Sequence, residues 1–358
     1  MLKLNEKSIL PGSSFDDYLI VPAYSEHRPT DVSIKTRFTD DLILDMPILA
    51  AAMDTISESD MGLAMGRAGG LAVIHKNMTP KEQLDQVRIV TDAGLKVGAA
   101  VSVGEKELAR ARTIVDNSPV SAIVVDTSHG HSKGVGDMVR LLRERYPKLC
   151  IIAGNVATAA GALYLEECGA NVVKVGIGPG SICTTRAVTG CGVPQLFAIY
   201  AVAKALDGRI AVIADGGIRE SGDITKALAA GASAVMLGSV LAATKETPGD
   251  VIKIGDKKYK GYRGMGSIPA MTHGSKDRYG QGEINDTKKL VPEGVEALVP
   301  YKGSVDEILY KMAGGLRSGM GMVGAKDLAS LWERAEFMKI TPAAILESRV
   351  HSVQQIGS

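Results

Sequence analysis

One pattern occurs twice in the chain: Ile151-Ile152-Ala153-Gly154, then Cys168-Gly169-Ala170, then Val175-Gly176. In each copy the glycine of the Gly-Ala joint is predicted to end a helix in the left-handed conformation, and the apolar run after it to form a strand. Such a repeat is expected in the sequence of a barrel that is built from four repeated pairs of βα units. The second copy, 62 residues further on by the joints at 169 and 231, is Val212-Ile213-Ala214-Asp215, Ala230-Gly231-Ala232 and Leu237-Gly238.

Eight short apolar runs extend this pattern along the chain and predict an α/β fold. Runs that alternate with helical patterns are typical of a parallel sheet, and eight strands close a (β/α)8 barrel. The competing open doubly wound sheet is disfavoured, because no Gly-x-Gly-x-x-Gly motif opens a helix after the first strand. The predicted strands are Pro47–Ala52, Leu71–His75, Val97–Val101, Ala122–Asp126, Cys150–Gly154, Val172–Val175, Ile210–Ala214 and Ala234–Leu237. The predicted helices include Glu105–Asn117, Gly134–Tyr146, Ala157–Cys168, Gln195–Leu206 and Glu220–Ala229.

Composition indicates a globular protein of the cytoplasm. Of the 358 residues, 45% are hydrophobic and 23% charged, and the net charge is +1, so no dedicated nucleic-acid surface is expected. The N-terminus lacks a signal-peptide core and no apolar run is long enough to span a bilayer. The four cysteines form no C-x-x-C pair, which favours a reducing compartment.

The loop Gly176–Arg186 carries the densest set of reactive groups. It reads Gly176-Ile177-Gly178-Pro179-Gly180-Ser181-Ile182-Cys183-Thr184-Thr185-Arg186. Alternating glycines allow the backbone to approach a ligand, and backbone dipoles with a nearby cation favour a nucleophilic thiolate at Cys183. The alternative is a tight strand-to-helix turn with an incidental cysteine.

Glycine-rich turns after the last two barrel strands predict a phosphate site. The loops that follow strands seven and eight are the usual phosphate position in this fold. Gly216-Gly217-Ile218 and Gly238-Ser239 supply bare amides and a hydroxyl there, and Ser181 is available from the loop after strand six. The alternative is that both are ordinary turns of a barrel rim.

Other polar residues allow more than one interpretation. Asp126 ends a buried strand and could be a ribose or amide ligand or a salt-bridge partner. The pair His129 and His131 lacks a third ligand at zinc spacing, so a metal site there is disfavoured. Cys150 and Cys168 are predicted to be core thiols, and Cys191 is left undecided.

A long irregular segment interrupts the barrel pattern from about 264 to 303. Such a segment inside a compact domain is usually functional or disordered, and we interpret it as a flap. Before it, Tyr259–Arg263 is predicted to be an extra strand with its hairpin turn at Ile254–Lys258. After it, Val305–Met312 is predicted to be the last barrel helix.

The run Gly178-Pro179-Gly180-Ser181-Ile182-Cys183-Thr184-Thr185-Arg186 closely resembles the catalytic-cysteine loop of the inosine monophosphate (IMP) dehydrogenase and GMP reductase family. The resemblance extends from Phe15-Asp16-Asp17 to the C-terminus. Most dehydrogenases of this family carry a pair of regulatory CBS modules near positions 88–95, where this chain runs directly into the third strand. We therefore expect residues 1–358 to form a single catalytic barrel.

Within the family, the flap resembles that of the dehydrogenases. It contains Arg278-Tyr279, which composition alone would assign to a solvated loop. The segment Tyr262-Arg263-Gly264-Met265-Gly266-Ser267 departs from the Tyr-Gly-Met-Ser-Ser motif of the reductases. The resemblance thus implies NAD-dependent oxidation of IMP. The alternatives are an NADPH-dependent GMP reductase and a non-catalytic nucleotide sensor.

The resemblance also assigns roles to individual residues. Cys183 would attack the purine and, after hydride transfer, Arg278 with Tyr279 and Thr185 would activate water. The NAD site would be formed by Asp126, Ser128, Asn155 and Gly176. The substrate would bind Ser181, Gly217, Gly238, Ser239, Tyr262, Gly264, Met265 and Gly266 through its phosphate, Asp215 through its ribose, and also Met53 and Glu293.

Finally, the resemblance implies a potassium site shared between subunits. Its ligands would be the backbone carbonyls of Gly178, Gly180 and Cys183, completed from a neighbouring subunit by Glu347, Ser348 and Arg349. Arg349 departs from the residue expected in a bacterial relative, but a carbonyl ligand tolerates any side chain. One cation bridging two subunits implies a ring, expected to be a homotetramer.

Overall fold

Fifteen strands form the sheets in the described part of the chain, for which we use a computed structural model. The structure describes residues 12–284, 286–350 and 352–353. The strands are β1 Tyr18–Ile20, β2 Thr36–Arg37, β3 Ile43–Leu44, β4 Ile48–Ala50, β5 Leu71–Ile74, β6 Val97–Val101, β7 Ala122–Asp126, β8 Cys150–Val156, β9 Val172–Val175, β10 Ala211–Asp215, β11 Ala234–Leu237, β12 Ile252–Ile254, β13 Lys257–Arg263, β14 Glu296–Pro300 and β15 Phe337–Lys339.

Strands β4 to β11 form a closed barrel in which neighbours along the chain are neighbours in space and run parallel. The barrel closes between β11 and β4, where Val235 is opposite Ile48 and Leu237 is opposite Ala50. The predicted (β/α)8 barrel is therefore confirmed, and each of the eight predicted strands matches an observed one to within two residues at either end.

Helices follow the barrel strands as the alternating pattern predicts. They are α1 Ser59–Arg67, α2 Pro80–Asp92, α3 Glu105–Val115, α4 Lys133–Arg145, α5 Ala159–Glu167, α6 Thr185–Thr189, α7 Gln195–Leu206, α8 Ser221–Ala229, α9 Ile268–Ala270, α10 Val305–Val323, α11 Leu328–Arg334 and α12 Pro342–Glu347. The bounds of α7 are those predicted, whereas α10 continues eleven residues beyond the predicted Met312. The sequence pattern did not predict this part of α10, because its two turns contain glycine, which lowers helix propensity.

Hydrophobic side chains fill both the barrel interior and the layer between strands and helices. The interior cluster includes Leu49, Val124, Ile152 and Ile213, one from each of four strands. The antiparallel hairpin β2–β3 adds Leu44 to this cluster, together with Phe38 and Leu42, against the first residues of several barrel strands. The hairpin thus covers the amino-terminal end of the barrel and leaves the carboxyl-terminal end available.

An antiparallel three-stranded sheet, β12–β13–β14, stands beside the barrel. The predicted strand Tyr259–Arg263 lies inside β13, and the turn before it falls at Gly255-Asp256. The predicted irregular segment is too long at its end, because 296–300 form β14 and pair with β13. This strand is largely exposed, so it lacks the apolar run by which the barrel strands are recognised.

In the described part of the remaining flap, residues 264–284 and 286–295, the regular structure is limited to short helical turns and one isolated bridge between Gly294 and Cys183. Beyond α9, these span Met271–Ser275, Lys276–Tyr279 and Thr287–Lys289. At the other irregular point, the chain passes from α2 to β6 through residues 93–96, where Gly94 adopts φ +71°. Among the described residues, no helix combines the length and apolar character needed to cross a membrane.

Candidate active site

A cavity of about 360 Å³ opens at the carboxyl-terminal end of the barrel. It brings together residues from the carboxyl ends of six barrel strands and from the flap, and almost all the residues predicted for the site line it. These are Met53, Asp126, Ser128, Asn155, Gly176, Gly178, Gly180, Ser181, Cys183, Thr185, Asp215, Gly217, Gly238, Ser239, Tyr262, Gly264, Met265, Arg278, Tyr279 and Glu293.

The cysteine loop follows β9 and depends on glycine at its start. A Cβ atom on Gly176 would lie 2.0 Å from the carbonyl oxygen of Asp215, so a side chain cannot be accommodated there. Gly178 adopts φ +75°, in the left-handed region that favours glycine. These two positions turn the chain sharply enough to place Cys183 in the cavity.

Arg186 braces this loop from behind. Its Nε donates to the carbonyl of Ile177 at 2.9 Å and its Nη2 donates to the carbonyl of Val193 at 2.6 Å. Burial lowers the pKa of the Arg186 guanidinium, and the nearby Cys183 partly opposes that shift. The cation expected from the sequence is present, and its hydrogen bonds stabilise the loop backbone.

Cys183 itself is half-buried and faces a hydroxyl. Its Sγ lies 3.2 Å from Oγ1 of Thr185, within hydrogen-bonding distance for a thiol. The backbone around it pairs with the end of the flap: the N–H of Thr184 donates to the carbonyl of Glu293 at 2.9 Å, and that of Val295 to the carbonyl of Ile182 at 3.0 Å. The nucleophile loop is therefore held by two segments distant in sequence.

The predicted phosphate site is assembled from three loops. Gly216 and Gly217 adopt φ +91° and +80°, a conformation that favours glycine. Their turn therefore presents backbone amides with no side chains in front of them. Gly238 lies close to Tyr262, because a Cβ atom there would be 3.0 Å from the tyrosine hydroxyl oxygen. Burial raises the pKa of Tyr262 to about 12, and its hydrogen bond with Ser181 partly opposes this. The phenol is therefore protonated at neutral pH and can donate to an anion.

Lys174 is a site residue that sequence reasoning missed. Its side chain is 2% exposed, and its Nζ lies 2.8 Å from Oδ1 of Asp126 and 2.6 Å from Oδ2 of Asp215. Nζ also donates to the side-chain carbonyl of Asn155, whose Nδ2 donates to Asp215 at 2.9 Å. One buried ammonium thus pairs with both Asp126, predicted to bind the cofactor, and Asp215, predicted to bind the substrate ribose. The available signal was a single charged residue within an apolar strand.

The flap lies over the side of the cavity predicted to bind the cofactor. The guanidinium of Arg278 forms an ion pair with Asp126, and the N–H of Ser128 donates to the carbonyl of Arg278 at 3.0 Å. Arg278 therefore contacts two of the four residues predicted for the NAD site. A ligand that bound Asp126 and Ser128 would have to displace it.

Tyr279 follows Arg278 into the cavity and packs against the backbone of the flap base. A Cβ atom on Gly266 would lie 2.8 Å from Cζ of Tyr279, so glycine is needed for this contact. Burial raises the pKa of Tyr279, and the adjacent Arg278 partly opposes the shift. Gly266 does not line the cavity. Its carbonyl accepts from the N–H of Glu293 at 2.9 Å, which aligns the end of the flap that pairs with the cysteine loop.

The predicted C-terminal potassium ligands lie elsewhere. Glu347 ends α12, and Ser348 and Arg349 follow it, all three exposed and outside the cavity of this chain. His131, from the disfavoured metal pair, packs against Tyr164 with ring centroids 5.2 Å apart.

The four thiols differ sharply in accessibility, which predicts their reactivity. Cys150 and Cys168 are buried as expected, whereas Cys191 is exposed. Burial raises the pKa of Cys150 from 9.0 to about 12, which lowers its thiolate fraction at pH 8 about a thousandfold. We expect iodoacetamide at pH 8 to label Cys183 and Cys191 in the native protein and all four thiols in the unfolded protein. Mass spectrometry measures this, and native labelling of Cys150 as fast as Cys191 would contradict it.

Comparison with known proteins places the whole barrel in one family. Residues 12–351 match the IMP dehydrogenase / GMP reductase domain. The chain is 40% identical to an inosine-5'-monophosphate dehydrogenase of Bacillus subtilis (strain 168), with 96% of each protein covered. It is 38% identical to one of Streptococcus pyogenes, covering 99% of this chain and 98% of the relative, and 41% identical to one of Borreliella burgdorferi, covering 96% and 97%. The first alignment has 472 positions against 358 residues here, so that relative contains segments this chain lacks.

Proposed function

The chain belongs to the IMP dehydrogenase / GMP reductase family, and from this premise we propose that it is an NAD-dependent oxidoreductase that converts IMP to xanthosine 5'-monophosphate. This reaction would serve guanine nucleotide synthesis. The observation that carries the proposal is the presence, in one cavity, of Cys183 with Thr185 and of Arg278 with Tyr279, delivered by the flap. The relatives named as IMP dehydrogenases, at about 40% identity over nearly the full chain, support it.

In the first half-reaction the chain binds the nucleotide and supplies the nucleophile. Ser181, Tyr262 and the Gly216-Gly217 turn would hold the phosphate, and Asp215 would accept hydrogen bonds from the ribose hydroxyls. Cys183 thiolate would then add to C2 of the purine, and NAD, when bound, would supply the acceptor for the hydride that C2 loses. The product on the protein is a covalent thioimidate between Sγ and C2.

The residues that would hold the nicotinamide ribose are chemically suited to it. Asp126 offers a carboxylate and Ser128 a hydroxyl and an amide, and Oδ1 of Asp126, with Lys174 Nζ 2.8 Å away, keeps a lone pair for a further donor. This oxygen could accept a hydrogen bond from a ribose hydroxyl. Lys174 would orient Asp126 for that contact, since it pairs with the same oxygen.

In the second half-reaction the flap would replace the cofactor. The contacts of Arg278 with Asp126 and Ser128 support this alternation, because the flap and the cofactor would both bind these two residues. Closure is then part of the catalytic cycle. Arg278, Tyr279 and Thr185 would position water for attack at C2 and accept its proton, after which Sγ leaves with its electron pair. A guanidinium normally stays protonated, so the closed, desolvated site would have to relay that proton onward.

The direct test is production of NADH. Purified protein with IMP and NAD should show rising absorbance of NADH, and a parallel reaction with GMP and NADPH should show no loss of NADPH. The reverse pattern would assign the chain to the reductase side of the family. Binding of IMP without either reaction would instead indicate a sensor.

We also propose a potassium site in the cysteine loop, shared between the subunits of a tetramer. Carbonyl oxygens are the ligands that potassium prefers. Cys183 N–H donates to the carbonyl of Gly180 at 3.1 Å, which curls the loop, and within the described residues no backbone N–H donates to the carbonyls of Gly178 or Cys183. The exposed Glu347, Ser348 and Arg349 would complete the site from a neighbouring subunit.

Activity is therefore expected to depend on potassium. Replacing it with lithium should lower steady-state turnover at least about tenfold, because an unoccupied loop would no longer hold Cys183 in place. Turnover is measured in potassium and lithium chloride at equal ionic strength, with nucleotide binding as the control. Equal rates in the two salts would contradict the cation site, and an active monomer in light scattering would contradict the shared ring.

A further inference from the structure

A buried lysine outside the cavity binds the flap next to Arg278 and Tyr279. Lys76 follows β5, is 6% exposed and does not line the active-site cavity. Its Nζ lies 2.7 and 2.9 Å from the two carboxylate oxygens of Asp277 and 3.2 Å from the carbonyl oxygen of Gly274. Asp277 is the residue immediately before Arg278. The barrel therefore holds the flap one residue from the group that enters the cavity.

The geometry of Asp277 transmits this contact to Arg278. Its Oδ1 also accepts the backbone N–H of Arg278 at 2.9 Å, and its carbonyl accepts the N–H of Gly280 at 3.1 Å. One carboxylate thus links the lysine of the barrel to the turn that presents Arg278 and Tyr279. A shift of Asp277 would move the whole turn.

The charge of Lys76 is compensated by the flap. A buried ammonium is costly unless a carboxylate or hydrogen-bond acceptors surround it. Among the described residues, Asp277 is the only carboxylate within 4.0 Å of its Nζ. When the flap opens, Lys76 loses Asp277 and Gly274 together. The lysine therefore favours the closed flap, although Asp277 is one-third exposed and water weakens the pair.

We propose that Lys76 is a positioning residue: through Asp277 it sets how the cavity is shared between the flap and the cofactor. The inference rests on the proposed function, since Arg278 in the closed flap covers Asp126 and Ser128. Weakening this latch, meaning the Lys76–Asp277 pair, leaves the chemistry of Cys183 intact. It lowers the fraction of time that Arg278 spends in the cavity.

The first test measures flap opening without any substrate. The N–H of Ser128 donates to the carbonyl of Arg278, so its hydrogen exchange reports flap opening, while the N–H of Thr127 donates to Gly154 inside the barrel and serves as an internal reference. In the full-length protein, Lys76→Met and Asp277→Asn should each speed exchange at Ser128 by roughly ten- to a hundredfold, the range for loss of a charged hydrogen bond. Exchange at Thr127 should not change.

Two comparisons distinguish a pair from general damage. The double variant Lys76→Met/Asp277→Asn should exchange no faster than either single variant, because both substitutions break the same contact. Lys81→Met removes the same charge from an exposed position at the start of α2 and should behave as the wild type. Unchanged exchange at Ser128 in both single variants, or additive effects in the double variant, would overturn the proposal.

The second test uses turnover. In Lys76→Met the rapid burst of NADH should keep its wild-type rate, steady-state turnover should fall roughly tenfold, and inhibition by excess NAD should appear at lower NAD concentration, since the open flap lets NAD return to the intermediate. Equal loss of burst and turnover would contradict the assigned role. If the wild type forms no NADH, the proposed function fails, while the exchange experiment still decides whether the latch exists. Asp277→Asn keeps both tests decisive should Lys76→Met not fold.

Discussion

Cys183→Ala is expected to abolish both NADH formation and xanthosine monophosphate formation while nucleotide binding persists. In the proposed reaction the thiol forms the covalent bond to C2, whereas the phosphate and ribose contacts would come from other side chains, namely Ser181 of the same loop and Tyr262 and Asp215 outside it. Loss of a nucleophile of this kind lowers turnover by roughly 10⁴-fold or more. The substitution removes one contact, to Thr185, and introduces no steric conflict because alanine is smaller.

Single-turnover absorbance and calorimetric binding of IMP measure the two halves of this prediction. Cys191→Ala is the matched control, because it removes an exposed thiol outside the cavity and should keep full activity. Measurable single-turnover NADH from verified Cys183→Ala protein would remove Cys183 as the nucleophile.

Arg278→Ala is expected to separate the two half-reactions. If Arg278 acts on water alone, the NADH burst should stay near the wild-type rate. Steady-state turnover should fall by ~10²–10⁴-fold, the contribution of a positioned base. Protein sampled during turnover should carry the mass of the purine nucleotide on Cys183, because the thioimidate is no longer hydrolysed. Tyr279→Phe should give a weaker version of this pattern.

Rapid-mixing absorbance with intact-protein mass spectrometry measures burst, turnover and adduct together. Lys288→Ala is a suitable control, because it removes a cation from an exposed position of the same flap. If Arg278→Ala lost its burst and its turnover in equal proportion and carried no adduct, Arg278 would serve binding or hydride transfer instead.

The two variants probe different levels of the structure. The proposed nucleophile, Cys183, belongs to a loop whose shape depends on local glycines such as Gly176 and Gly178, so the sequence alone was enough to propose its role. Arg278 acquires a role only through contacts with Asp126 and Ser128, about 150 residues earlier in the chain. Composition alone would have left it in a solvated loop.

Local sequence determined the architecture of this protein. Apolar runs of four to six residues, alternating with helical patterns, predicted all eight barrel strands, and the Gly-Ala joints predicted where helices end. Since the carboxyl ends of parallel barrel strands share one rim, the candidate residues at those strand ends were predicted to meet, and those from six strands line one cavity. These features depend on near neighbours in sequence, and their physical cause is the period of buried side chains along each element.

Only the tertiary structure decided which charges are paired. Lys174 lies in an apolar strand, and nothing adjacent to it indicates that Asp126 and Asp215 share its ammonium group. Lys76 and Asp277 are 201 residues apart and meet because the flap folds back over the barrel rim. Likewise β14 is a strand because β13 pairs with it, although most of its side chains are exposed. Such contacts have no local period, since the free energy that selects them comes from desolvating partners that only the folded chain brings together.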